Sequence, residues 1–255
     1  MRTPDTDLVH TADAETPPKA AARPKRKMGL RERGKLERRR RIQNAARQEF
    51  MEKGYDVATT REIALLAEVG IGTLFTYAKD KRELLMMIVN DDLDEVSGIA
   101  EQTIDSKGSL LDQVVAFYKP RYEYWAAHPA LGRPIVREIM DVAGATESPG
   151  PETARFYARR PRMMSALTQI VAKQQTGGQA IPDISAGLIA SLFMTVYLTE
   201  VRRWLNQESP NAADGMARFR ELIALAIRGV GTREGVAAQN AAPRKKATRG
   251  KAEKP

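Results

Sequence analysis

The sequence predicts an all-α protein. Between residue 42 and about residue 230 the apolar side chains recur at helical spacing, and no run alternates convincingly at period two. Glycine, proline and capping residues fall between these stretches, where helices should stop and start. No repeat is visible at periods of about 20–50 residues. The expected architecture is a three-helix N-terminal domain holding a helix-turn-helix, followed by a larger helical bundle.

The elements follow in order. Residues 1–30 are rich in Pro, Ala, Thr and Lys/Arg, with Pro4, Pro17, Pro18 and Pro24 and almost no large apolar side chain. Such a segment buries too little surface to offset chain entropy, so disorder is expected there. Ile42, Ala45, Ala46 and Phe50 mark the first apolar stripe, and Gly54 caps that helix at its C-terminus. Thr60 is placed to N-cap a short helix with Ile63, Ala64 and Ala67. A third short helix covers about 71–78. Lys81 opens a longer one carrying Leu84, Leu85, Ile88, Val89 and Leu93.

Further helices are expected over about 110–127, ending before Pro129, and 130–142, before a loop with Pro149, Gly150 and Pro151. A stretch over 152–175 contains Pro161, which should kink or split it. Gly177 and Gly178 close that stretch. Two final helices span about 183–206 and 212–230. The end from Gly235 onward is expected to be disordered, like the start.

Composition bounds the function classes. The chain has 255 residues, 42% hydrophobic and 29% charged, enough for one large domain or two modest ones. It has no cysteine, which excludes a disulfide framework and a thiolate metal site. Its apolar stretches are interrupted by charge well before membrane-spanning length. The N-terminus lacks an apolar signal core, so a cytoplasmic protein without membrane association is expected.

The net charge of +9 sits in the tails. Residues 1–41 hold 13 basic and 6 acidic side chains, and 233–255 hold 7 and 2, whereas 42–232 hold 21 and 24. Tails of this kind suit polyanion binding through counterion release, although solvated ends that only aid solubility have the same composition. The expected division is a disordered basic arm at 1–35, a helix-turn-helix domain at 36–82, a larger helical domain at 83–232, and a disordered basic tail at 233–255.

Residues 60–81 carry the sharpest signal. Ile63, Ala64, Ala67, Val69 and Leu74 have the spacing that packs two helices across a turn. Ala64 is small, as a closely crossing second helix requires. The outward positions of that second helix are Ile71, Gly72, Thr73, Thr76 and Tyr77. Thr73 and Thr76 can donate to base edges or offer methyls to thymine, and Tyr77 can reach a phosphate. Lys81 supplies a point charge, and Arg61 is the other charged candidate on this face. Double-stranded DNA is the partner this surface suits. An ordinary helical hairpin is the plain alternative, but a buried helix would not show Gly-Thr on one face.

At residues 42–84 the chain resembles the N-terminal domain of the TetR family of bacterial transcription regulators. The matching stretches are 42–50, Gly54 with Tyr55, 59–64 (Thr-Thr-Arg-Glu-Ile-Ala) and 72–77 (Gly-Thr-Leu-Phe-Thr-Tyr), followed by Lys81, Leu84 and Leu85. The resemblance implies that Thr60 and Tyr77 contact phosphates, Gly72 permits close backbone approach, Thr73 and Thr76 face bases, and Lys81 anchors the far side. Three residues depart from the pattern. Glu68 stands where such turns place Gly, at a cost on the order of 1 kcal/mol if the backbone there is left-handed. Gly70 replaces a hydroxyl N-cap, losing a few tenths of a kcal/mol. Ala78 replaces a bulky aromatic.

The resemblance also implies a C-terminal domain that binds a small effector and dimerises through its last two helices. Leu188, Ile189, Leu192, Phe193, Val196 and Val201, with Phe219, Leu222, Ile223, Ala226 and Ile227, give those helices broad apolar faces. Phe117, Tyr118, Tyr122, Trp125, Met140, Phe156, Met163, Met194 and Tyr197 are the candidate ligand contacts, since aromatics and methionines line adaptable apolar pockets. Plain core packing is their alternative role. Arg121 and Arg137 fall within otherwise apolar helices and could meet an anionic ligand, but surface exposure is the expectation.

No enzymatic set appears. His10 lies in the N-terminal segment and His128 before Pro129, with no metal-spaced ligands, nucleophile arrangement or phosphate loop. No metal and no cofactor are expected. Asp91, Asp92, Asp94 and Glu95 read as a solvated helix face. The expected function is a homodimeric, ligand-responsive repressor on a palindromic operator. The alternative is an architectural nucleoid-associated protein that binds through its basic tails.

Overall fold

A computed structural model describes residues 29–105, 107–140, 149–178, 180 and 182–229, and all described regular structure is helical. The basic tail at 233–255 and most of the basic arm lie outside these residues. The first helix, α1 (Leu30–Glu52), buries Ile42, Ala45, Ala46 and Phe50. It begins well before the stripe that predicted it, so residues 30–35 of the expected arm are helical. Their side chains bury little and show no apolar period, so the sequence carries no packing signal there. Lys53 ends the helix, and Gly54 follows at φ 83°, a left-handed position that glycine occupies without steric cost.

The short helix α2 (Thr60–Leu66) is capped by Thr59, not by Thr60 as expected. The reason is the capping box. Glu62 stands three residues after Thr59, so each side chain satisfies a backbone N–H of the other, which a cap at Thr60 could not provide. Ile63 and Ala64 face inward. The turn to α3 (Ile71–Tyr77) passes through Glu68 at φ 53°, the left-handed residue its position called for. Gly70 precedes α3 without a side-chain cap, and Leu74 is the fully buried residue that seats it.

Asp80 caps α4 (Lys81–Glu101), whose residues from Glu83 to Asn90 are all buried. A helix enclosed on every side is a shared wall. Here α4 packs on α1 on one side and on α5 (Leu110–Ala127), α6 (Pro129–Met140) and α7 (Pro151–Tyr157) on the others. The expected 152–175 stretch is divided between α7 and α8 (Arg159–Thr176) at Ala158. Pro161 explains the break: its ring would collide with the carbonyl of Tyr157, four residues earlier, in a continuous helix.

The body closes with α9 (Ala186–Leu205) and α10 (Ala212–Arg228), capped by Ser185 and Asn211. α8 lies on α9, and α10 lies on α5 and α9. An aromatic cluster fills their junction. Tyr118 stacks on Tyr197 at 4.2 Å between ring centroids, and Phe219, Tyr122 and Trp204 complete it. Gly215 lets α10 approach, since a Cβ there would lie 2.8 Å from the Trp204 ring and 2.9 Å from Tyr122.

Candidate functional site

Two surfaces of this fold bear on function. On the first, Ile63, Ala64 and Leu74 hold α2 against α3. Ile71, Gly72, Phe75 and Thr76 of α3 are exposed, and Thr73 and Tyr77 are half-buried. The Thr76 hydroxyl donates to the Gly72 carbonyl at 3.1 Å. A Cβ at Gly72 would meet nothing within 4 Å, so the fold itself does not require glycine there. Arg61 is exposed and Thr60 half-buried on α2.

Tyr77 joins α3 to the basic start of α1. Its hydroxyl donates to the Lys35 carbonyl at 3.3 Å and accepts from Arg38 Nε at 3.4 Å. Lys35 and Arg38 therefore stand beside the reading helix. Lys81 is engaged within the fold. Its ammonium donates to the carbonyls of Asp56 and Ala58, both at 3.1 Å, and lies 4.8 Å from the Tyr55 ring centroid. With two of three donors engaged, it straps the α1–α2 connection to α4 more than it faces outward. Phe75 is an outward residue that sequence reasoning missed. The adjacency of Leu74 and Phe75 was the available signal, because a helix cannot bury both neighbours on one face.

The two parts of the chain are tied by ion pairs. Arg39 of α1 meets Glu152 at the start of α7 at 2.6 Å, and Arg47 meets Asp92 of α4 at 2.7 Å. Asn90 donates to both the carboxylate and the carbonyl of Glu152. The fully buried Glu83 accepts the backbone N–H groups of Glu152 and Thr153 and the Thr153 hydroxyl, which caps α7 from α4. Asp91 and Asp94 pair with Arg155, and Asp94 also with Arg159. Asp91, Asp92 and Asp94 of the acidic cluster thus pair with arginines of α1, α7 and α8, while Asp91, Asp94 and Glu95 keep the exposure expected of a solvated face. Those arginines hold the carboxyls of Asp91 and Asp94 below the usual range against the opposing effect of partial burial. Arg137 is exposed, as expected, and forks onto Asp56 at 2.8 and 3.2 Å.

The second surface is internal. A cavity of about 90 Å³ opens between α4, α5, α6, α7, α8 and α9. Five of the expected ligand contacts line it: Trp125, Phe156, Met163, Met194 and Tyr197. Three do not. Phe117, Tyr118 and Tyr122 are at most 1% exposed and belong to the core. On α5 the four-residue stripe of Phe117, Arg121 and Trp125 leads to the cavity, with Phe117 beneath Arg121, whereas Tyr118 and Tyr122 turn about 100° onward toward α10. The side chain of Met140 lies outside the described residues. Arg121 reverses its expectation: it is buried, 4% exposed, and lines the cavity with Ser97, Arg159 and Arg160.

A helix-turn-helix on a helical body with an internal apolar cavity is the build of a DNA-binding regulator. The chain belongs to the TetR family. Residues 42–86 match the family model for bacterial regulatory proteins of the tetR family. The chain is 34% identical over 189 residues to the uncharacterized HTH-type transcriptional regulator YhgD of Bacillus subtilis, covering 73% of this chain and 94% of that one. Its fold is similar to FadR from Bacillus subtilis, solved with stearoyl-CoA, at 17% identity and a TM-score of 0.58, covering 75% and 98% of the two chains. It is also similar to Thermus thermophilus FadR, a repressor solved with lauroyl-CoA, at 21% identity and a TM-score of 0.57, covering 80% and 98%. The protein is a transcriptional regulator, and the architectural alternative is not favoured.

Proposed function

We propose that this regulator is a homodimeric repressor, acting in the cytoplasm on a palindromic operator and released by a small apolar or amphipathic effector. The reading head is residues 36–82 and the effector and dimerisation body 83–232. Arg61, Gly72, Thr73, Thr76 and Tyr77, joined by Thr60 and the basic face of α1, form the DNA contact. One observation carries the effector reading. α7 supplies Phe156 and Tyr157 to the cavity wall, while its first turn is held by Glu83 of α4 and Arg39 of α1. A ligand that shifts α7 therefore pulls on α1, which meets Tyr77 of α3, and on α4, which follows α3 in the chain, a two-site coupling in the allosteric sense.

The acyl-CoA complexes of the FadR structures support an apolar effector. The dimer reading is supported by Leu188 and Leu192 of α9 and Leu225 of α10, which are 65%, 47% and 43% exposed on otherwise core-packed helices. Fluorescence anisotropy with DNA from upstream of the protein's own gene tests the proposal. Sequence-preferring binding that fades as an effector is titrated is the expected result. Binding no tighter than to a scrambled fragment at the same salt would end it.

A further inference from the structure

Arg121 is one of three arginines in the wall of a mostly apolar cavity, with Arg159, which is ion-paired, and Arg160, which is exposed. The Arg121 guanidinium is 4% exposed and can neither leave nor shed its proton, because arginine stays charged in proteins. Its hydrogen bonds go to neutral groups, the Ser97 hydroxyl at 3.1 Å and the Phe117 carbonyl at 3.4 Å, and it lies 5.1 Å from the Phe117 ring centroid. Among the described residues it has no carboxylate partner. The contrast is Arg159 in the same wall, which meets Asp94 at 2.6 Å and also reaches Asn90. Burial lowers the pKa of Arg121 from the ordinary arginine value, against the weaker opposing pull of Tyr197, Tyr118 and Glu101.

A buried cation with no hydrogen-bonded counter-charge is costly, and a guanidinium matches a carboxylate or a phosphate with two parallel hydrogen bonds; of the two, the singly charged carboxylate suits a mostly apolar wall. Apart from Ser97 and the arginines, the lining, with Trp125, Phe156, Met163, Met194 and Tyr197, is mostly apolar. We propose that the effector is an apolar carboxylic acid, its free carboxylate paired with Arg121 and its body among the aromatic and methionine side chains. This rests on the effector reading above and narrows it: an acyl thioester, being neutral at the carbonyl, would leave the guanidinium unpaired.

The test uses the full chain with benzoate, phenylacetate and octanoate, their methyl esters, and octanoyl-CoA. Calorimetry measures binding, and anisotropy separately measures DNA release. At least one acid should bind ten-fold or more tighter than its ester, and Arg121→Met should erase that preference, with Arg121→Lys intermediate. Unliganded Arg121→Met should melt no lower than the parent, because an isosteric apolar side chain relieves an uncompensated charge; a marked drop would show that Arg121 serves the fold and would overturn the proposal. Equal binding of acid and ester, preference for octanoyl-CoA, or no binding by any acid would also overturn it. An acid that binds through Arg121 without releasing DNA would leave this site standing and remove the effector reading. Release by the esters alone would do the reverse.

Discussion

Arg39 and Glu152 stand 113 residues apart in sequence and 2.6 Å apart in space, joining the first helix of the DNA-reading domain to the helix that walls the cavity. Arg39→Ala should leave α3 seated, since the buried contacts of Ile63, Ala64 and Leu74 are untouched. The pair is partly solvated, so the thermal midpoint should fall by only about 1–4 °C. The ratio of operator affinities without and with effector should shrink about five-fold or more. An unchanged ratio in anisotropy titrations would show that the signal takes another route.

Gly72 separates stability from function. Its Cβ position is open, so Gly72→Ala should raise stability by about 0.5–1 kcal/mol through helix propensity. DNA affinity should fall in the same variant because the new methyl stands on the contact face. Calorimetric melting and anisotropy on one preparation check both signs.

Arg31, Lys35 and Arg38 are exposed and share one face of α1, the face beside Tyr77. Replacing all three with Ala should weaken binding to specific and scrambled DNA alike. The slope of log affinity against log salt should drop by about 0.9 for each phosphate that is no longer neutralised. Thr73→Ala should instead change the preference between sequences and leave the slope alone.

Gly215 is where α10 meets Trp204 and Tyr122. Gly215→Ala forces a methyl into a 2.8 Å gap and should cost about 1–3 kcal/mol, a fall of several degrees in thermal midpoint. Differential scanning calorimetry measures it directly.

Leu188 and Leu192 should mark the dimer interface. A Leu188→Glu, Leu192→Glu double variant should keep its helical circular dichroism, since both side chains are exposed, and run as a monomer in size exclusion with light scattering. A persisting dimer would place the interface elsewhere.

Much of this fold is legible in the sequence because each signal is local. The split before Pro161 and the turn at Glu68 each depend on residues within one helical turn. The cap at Thr59 is equally local, but only Glu62 distinguishes it from a cap at Thr60, since both positions carry the same hydroxyl. What escapes is non-local. The ion pairs of Asp91, Asp92 and Asp94 join helices far apart in sequence, so a cluster of carboxylates on one helix looks like a solvent face. Arg121 escapes for the same reason: the helical period shows that its stripe is mostly apolar, yet a charged side chain is ordinarily assigned to the outside. Tyr118 and Trp125 differ only in which neighbour they face, and sequence spacing does not name the neighbour.

The helical start of α1 changes what the basic segment is. At about 1.5 Å per residue, residues 30–41 form a spur roughly 18 Å long, with Tyr77 bracing it from the side. A loose chain meets its ordering cost when the DNA arrives, and so binds more weakly for the same charge. A spur already wound has met that cost during folding, and its charges reach the duplex in a fixed array. On the DNA contact proposed above, that length would let the spur register the width and curvature of a groove, and so tell a bent or A-tract operator from a straight one by backbone shape.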